Sequence, residues 1–289
     1  MHTVVVWFCL GMASIAVLSQ NELTLRYVID LNFSVTTYNL WKPLFKLLFS
    51  AKDDESVICG RALELLTRRE PNNLRPSPYW PAMVDNGLIP TLINVFTEST
   101  NEDVLISAYI LLLNSANEYP RVKVELVSMK NAFSSMLKHT RSKSTQIVTL
   151  LGRVLACLSE NPSLIEPMVE QGLLDSLMTL IDKQRTPQII CSYFDCLANI
   201  VSHSPEYQLK LANSQQFLSL VIRHYLEEFD PRLSLSVMQF LRQLVQKNEQ
   251  IQTLLAQNGA CEHILGALLA SSKELQQAAI ECVQAISDN

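Results

Sequence analysis

Glycine is scarce in this sequence, seven in 289 residues. That argues against dinucleotide-binding and P-loop enzymes, whose phosphate-binding turns are built from glycines. Charge is thin as well: only 18% of residues are Asp, Glu, Lys or Arg, and the net charge is -5. Nucleic acid and anionic membrane surfaces both need a concentrated basic face, so neither is expected as a partner. The nearest basic stretch, KHTRSK at Lys138 to Lys143, reads as a solvated loop between helices. Seven cysteines give no even framework and no C-x-x-C spacing. Cys157, Cys191, Cys196, Cys261 and Cys282 fall in apolar helical stretches, where a thiol acts as a small hydrophobe; buried, reduced cysteines imply a reducing compartment, and a cytoplasmic chain is expected, with the nucleus as the alternative.

Catalytic patterns are missing too. The sequence has no H-E-x-x-H, no G-x-S-x-G and no Walker motif, and its five histidines are scattered at positions 2, 139, 203, 224 and 263. His224 and His263 sit in amphipathic helical stretches, as surface or hydrogen-bonded side chains. The paired carboxylates Asp53-Asp54 and Glu227-Glu228 are adjacent, so on a helix they diverge and read as solvated or capping. The expectation is a protein that is not an enzyme, with no cofactor and no metal.

What remains is apolar and helical in character: 48% of the chain is hydrophobic, enough for a substantial core. Residues 3 to 21 carry no charge. Without Lys or Arg before it this run makes a poor signal peptide, and its strictly apolar part falls short of the roughly 20 residues of a membrane span. A repeat helix is the favoured reading; a targeting or membrane segment is the alternative.

Self-similarity organises the rest. NGLIPTLINVF from Asn86, KNAFSSMLKHT from Lys130, QGLLDSLMTLI from Gln171, SQQFLSLVIRHYL from Ser214 and NGACEHILGALL from Asn258 align, with Gly87, Asn131, Gly172, Gln215 and Gly259 spaced by 44, 41, 43 and 44 residues. A second anchor, Leu112, Leu155, Leu197, Leu241 and Cys282, has the same period. Leu88, Leu92, Val95 and Phe96 recur at helical intervals, as do Leu173, Leu174, Leu177, Leu180 and Ile181. The Gly or Asn before this helix suits a reversal through positive φ. Asn161-Pro162, Thr186-Pro187, Ser204-Pro205 and Asp230-Pro231 each read as an N-cap followed by a first-turn proline, and Ser271 with Glu274 has capping-box spacing. Each repeat is therefore expected to be a short helix, a turn and two longer helices.

This pattern resembles the armadillo repeat. CLANIV matches the third-helix pattern of that family at Leu197, Asn199 and Ile200, and AYILLLNSA matches it at Ala108, Leu112 and Asn114. The resemblance implies an all-α fold, a right-handed alpha-alpha superhelix of the armadillo or HEAT-like kind, with about six repeats of 41–47 residues spanning 1–289. The expected divisions are a partial repeat at 1–35, then 36–70, 71–118, 119–160, 161–203, 204–247 and 248–289. Because the sequence opens on apolar residues and stops directly after CVQAISDN, the chain is expected to be part of a longer protein; proteins joining armadillo to ankyrin repeats are similar in this respect, although no ankyrin motif is present.

The resemblance also implies a function: a non-catalytic protein-interaction scaffold whose concave groove, lined by third helices, holds an extended peptide or a helix of an unidentified partner protein. Carried over position by position, the lining is Ile110 and Asn114, Arg153 and Cys157, Asp195 and Asn199, Gln239 and Gln243, and Ile280 and Gln284. Asn114, Arg153, Asp195, Asn199, Gln239 and Gln243 are the candidate partner-binding residues. A carboxamide can grip main chain as donor and acceptor at once; the competing reading has each asparagine bond its neighbouring repeat. The tryptophan ladder of nuclear-import adaptors is absent, since its positions hold Ile110, Arg153, Asp195, Gln239 and Ile280. The alternative function is an architectural spacer in a larger protein, tethered to a membrane through residues 3 to 21.

One stretch breaks the period. RPSPYWP, residues 75 to 81, aligns with the entry to a leading helix, with Ser77 as cap, Pro78 in the first turn, and Tyr79 and Trp80 on the buried face. Five extra residues near 71–76 make a lengthened entry loop.

Overall fold

The computed structural model describes residues 41–48, 53–67, 80–129, 131–183, 186–222, 230–269 and 272–287. The apolar start of the chain, the inserted loop near 71–76, Ser77 to Tyr79, His224, Glu227-Glu228 and Ser271 lie outside them. The described residues are helical with no strand, and they fall into two compact units that divide between Val154 and Leu155.

The first unit holds α1 (Trp41–Leu48), α2 (Asp53–Thr67), α3 (Trp80–Asp85), α4 (Leu88–Glu98), α5 (Glu102–Glu118), α6 (Arg121–Ser128), α7 (Ala132–Lys138) and a 3-10 turn (His139–Arg141). Helix α8 (Thr145–Ser159) begins in it and ends in the second unit. The second unit continues with α9 (Pro162–Glu170), α10 (Leu173–Lys183), α11 (Pro187–His203), α12 (Pro205–Ala212), α13 (Gln215–Leu220), α14 (Pro231–Val245), α15 (Glu249–Gln257), α16 (Ala260–Ala267) and α17 (Lys273–Ser287). Helices thus succeed one another in threes, the third of each being the longest. The middle helices α4 and α10, with 11 residues each, are longer than the leading helices before them, as expected, whereas α7 and α16, with 7 and 8, are shorter. These two stop where the α-helical ladder changes: α7 tightens into the 3-10 turn, and α16 ends just beyond Gly266.

The turns follow the chemistry of their residues. Gly87, Gly172 and Gly259 have φ of 98°, 89° and 80°, and Asn131, the residue that best tolerates this conformation after glycine, has 68°. Gln215 does not continue the series: the chain enters α13 through Ser214 at φ -80°. Lys247, which no glycine or asparagine pattern singles out, takes φ 61° in the turn before α15. Asn161, Ser204 and Asp230 cap α9, α12 and α14 by accepting from backbone N–H groups, each before a first-turn proline. Thr186 makes no such bond, so Pro187 alone presets the start of α11. The serine that caps α17 is Ser272, whose Oγ accepts from the N–H of Leu275 at 3.3 Å.

Burial follows the repeat. Leu112, Leu155, Leu197, Leu241 and Cys282, the anchor positions, are all inaccessible to solvent. In the first unit α2 packs on α5 and α4 on α7; in the second, α11 packs on α14 and α14 on α17. Third helices therefore stack on third helices. At the α2–α5 contact a Cβ on Gly60 would lie 2.7 Å from Cβ of Ser107. Glycine inside a helix normally costs up to about 1 kcal/mol relative to alanine. Here the order is reversed: Gly60→Ala is expected to destabilise by about 1–3 kcal/mol in urea titrations, and Gly60→Ala with Ser107→Gly to recover most of the loss.

Cys157, Cys191, Cys196 and Cys282 are buried as expected, whereas Cys261 is half-exposed. Burial pushes the Cys196 and Cys282 thiols up to about 12, which leaves them protonated and unreactive.

The leading helices are pinned by polar side chains that apolar periodicity does not reveal. The buried Gln208 donates from Nε2 to the carbonyl of Gln243 at 3.0 Å, and Gln252 donates to the carbonyl of Ala285 at 2.9 Å. Trp80, at the matching position of α3, donates from Nε1 to Glu118 at 2.7 Å. Each links the first helix of a triplet to its third.

The KHTRSK stretch is not wholly a solvated loop. His139 is half-buried, with Nδ1 2.7 Å from the hydroxyl of Tyr109 and its ring edge-on to Phe96. Burial, aided by the neighbouring Lys138 charge, lowers its pKa. The fold thus favours the neutral ring: this contribution is complete above about pH 6.5, the unfolded value, and is lost as pH falls through the lower folded value. Urea midpoints measured from pH 7 downward are expected to fall more for the natural protein than for His139→Gln; parallel curves would contradict this.

Candidate functional site

The candidate residues lie on third helices. Asn114 on α5 is half-exposed and Arg153 on α8 exposed; both belong to the first unit, and neither side chain has a hydrogen-bond or ion-pair partner among the described residues. Asp195 and Asn199 on α11, and Gln239 and Gln243 on α14, belong to the second. Because α11, α14 and α17 pack side by side, the residues on their outer faces form one surface.

Two hollows open on that surface. One, of about 240 Å³, is lined by Asn199 and Ser202 of α11 and by Gln239, Arg242 and Gln243 of α14. The other, of about 600 Å³, lies between α14 and α17. Gln239 and Arg242 line both, so the hollows adjoin along α14. Helical geometry makes this arrangement: residues 239, 242 and 243 are three and four apart and share a face.

Of the four candidates in this unit, Asn199, Gln239 and Gln243 are brought together and Asp195 is not. Burial raises the Asp195 carboxyl above its ordinary value, against the opposing effects of a hydrogen bond from Ser236 and the charge of Arg232. Its role is to tie α11 to α14. Asn199 donates from Nδ2 to Oγ of Ser159 at 3.0 Å, the neighbouring-repeat bond that was the competing reading, and keeps its carbonyl oxygen for another donor. The side chains of Gln239 and Gln243 have no hydrogen-bond partner among the described residues.

The sequence reading missed the charged residues of the second hollow. Arg242 donates to Glu281 at 2.6 Å, and Glu281 also accepts from Gln277 at 3.0 Å. Lys273 and Glu274 stand at the start of α17 on the same wall. The signal was present: Arg242 lies three residues after Gln239, and Glu281 falls one residue after Ile280, the position equivalent to Gln239.

Among the described residues no group of three or more His, Cys, Asp or Glu side chains is placed to hold a metal, and no helix is long and apolar enough to cross a membrane.

Comparison with solved structures aligns 85% of this chain with 98% of a designed armadillo repeat protein in complex with the peptide (KR)4, at a TM-score of 0.73 and 18% identity. The chain has the armadillo fold. An engineered protein matches 95% of this chain over 67% of its own length, with a TM-score of 0.77 and 17% identity. The armadillo-like family model matches residues 117–223. Among curated proteins the chain is similar to Armadillo repeat-containing protein 8 of Danio rerio, 22% identical over 232 residues, which is 78% of this chain and 32% of that protein. The chain therefore spans about a third of the length of the curated relatives it matches. In armadillo terms α11, α14 and α17 are third helices, and the two hollows lie on the third-helix face.

Proposed function

We propose that this chain is a non-catalytic protein-interaction scaffold, and that an extended segment of a partner protein lies along the third-helix face of the second unit. The observation that carries this reading is the pair of adjoining hollows along α14, where Gln239 and Gln243 offer carboxamides without partners among the described residues. A carboxamide presents one donor and one acceptor side, the complement of a peptide group, so it can hold main chain in an extended segment. Peptide binding by a designed protein of the same fold supports the reading. Asn114 and Arg153 offer the corresponding third-helix contacts in the first unit. Most of the six cysteines of the described residues are buried, where a thiol serves as a small hydrophobe, and a cytoplasmic setting is part of this proposal.

The test is selection from a displayed library of random peptides of about twelve residues, some 40 Å when extended, on the natural protein, followed by titration of recovered peptides against Gln239→Ala/Gln243→Ala. Two lost hydrogen bonds of about 0.5–1.5 kcal/mol each correspond to a loss of about fivefold to a hundredfold in affinity, with the melting temperature unchanged because both side chains face solvent. Failure to recover any binder, or affinity unaffected by the substitutions, overturns the reading.

A further inference from the structure

We infer that the segment bound at the hollows of the second unit is close to neutral and rich in amide and hydroxyl side chains, rather than basic or acidic; this rests on the reading just given. The charges lining the two hollows are Arg242 and Lys273 against Glu274 and Glu281, two cations and two anions, so the walls carry no net charge. On the wall that the two hollows share, the charge is already paired. Arg242 and Glu281 are joined at 2.6 Å between half-exposed side chains, and the second carboxylate oxygen of Glu281 is taken by Gln277. Just outside, Asp195 is occupied by Ser236 and compensated by Arg232.

A lysine, arginine or carboxylate entering beside Arg242 and Glu281 would give up hydration and meet a dipole in place of an opposite charge. The Coulombic return that repays desolvation in a single-sign groove is missing. Four carboxamides stand on the same walls, those of Asn199, Gln239, Gln243 and Gln277. They suit backbone and the side chains of Asn, Gln, Ser and Thr, whose hydrogen bonds need no charge partner. Charge therefore excludes strongly basic and strongly acidic segments, and amide geometry selects among the rest.

The test reads the sequences recovered by the library selection and the salt response of their binding to the full chain. Peptides that lose affinity on Gln239→Ala/Gln243→Ala are expected to lack a net-charge bias and to be enriched in Asn, Gln, Ser and Thr, with affinity changing less than about threefold between about 0.1 M and about 1 M salt. Glu281→Gln should then shift a repeated selection toward acidic sequences by leaving one cation in excess. If the recovered peptides are sensitive to the double substitution but uniformly basic or acidic, with affinity falling tenfold or more over the same salt range, the charge argument is overturned while the binding reading stands. If they are insensitive to the double substitution, or none is recovered, both fall.

Discussion

Replacing Phe240 with alanine is expected to lower stability by about 3–5 kcal/mol, the range for deleting a fully buried aromatic. The ring is inaccessible to solvent and packs 5.6 Å from Phe194 of α11 and edge-on, at 6.4 Å, to Phe217 of α13. It is therefore the point at which two third helices and one middle helix meet. Gln239, one residue before it, and Gln243, three after it, line the smaller hollow on the same helix. Packing and site thus share one helix: the cavity left by Phe240→Ala loosens the seat of α14 and should weaken any ligand of that face as well as the fold. Phe240→Leu keeps most of the volume and should retain more than half of the lost stability. Urea titration measures both; a loss under about 1 kcal/mol for Phe240→Ala would mean that this ring does not join the helices as described.

Trp80→Ala is expected to cost about as much, about 3–5 kcal/mol, and to act in the first unit. Trp80 is the largest residue type, it is 1% exposed, and its Nε1 is bonded to Glu118 at the end of α5. Trp80→Phe separates the two contributions: it retains an aromatic body and removes the donor, for an expected loss of about 1.5–3 kcal/mol, the range for a hydrogen bond to a charged group. If Trp80→Phe were as damaging as Trp80→Ala, the hydrogen bond and not the packing would hold α3.

Trp80 also shows what was legible in the sequence. A stretch with three prolines and two aromatics in seven residues looks like a docking peptide or a linker. Alignment by period placed Trp80 on the buried face of a leading helix, where the structure has it. The repeat was readable because a triplet of helices must bury the same stripe each time, so apolar anchors recur at a fixed spacing. Proline and capping side chains were readable because they act within one or two residues of themselves. Not every middle-helix length was readable: α7 ends by tightening into a 3-10 turn, a change of hydrogen-bond register that apolar spacing does not encode.

The site was legible to a lesser degree, for a related reason. Third-helix positions could be numbered, and three of the four in the second unit meet at one hollow. Which of them points outward and which toward a neighbour depends on individual partners: Asp195 turns to Ser236, and Asn199 bonds Ser159. Arg242 and Glu281 come from different repeats, 39 residues apart, and only the packing of α14 on α17 makes them a pair.

The central claim is that a partner segment lies on the faces of α11, α14 and α17. A library-selected peptide carrying a photo-cross-linking residue, irradiated in complex with the full chain and mapped by mass spectrometry, tests it most directly. Adducts are expected on Asn199, Ser202, Gln239, Gln243 or Gln277. Adducts concentrated on the leading or middle helices, α9, α10, α12 or α15, would contradict it.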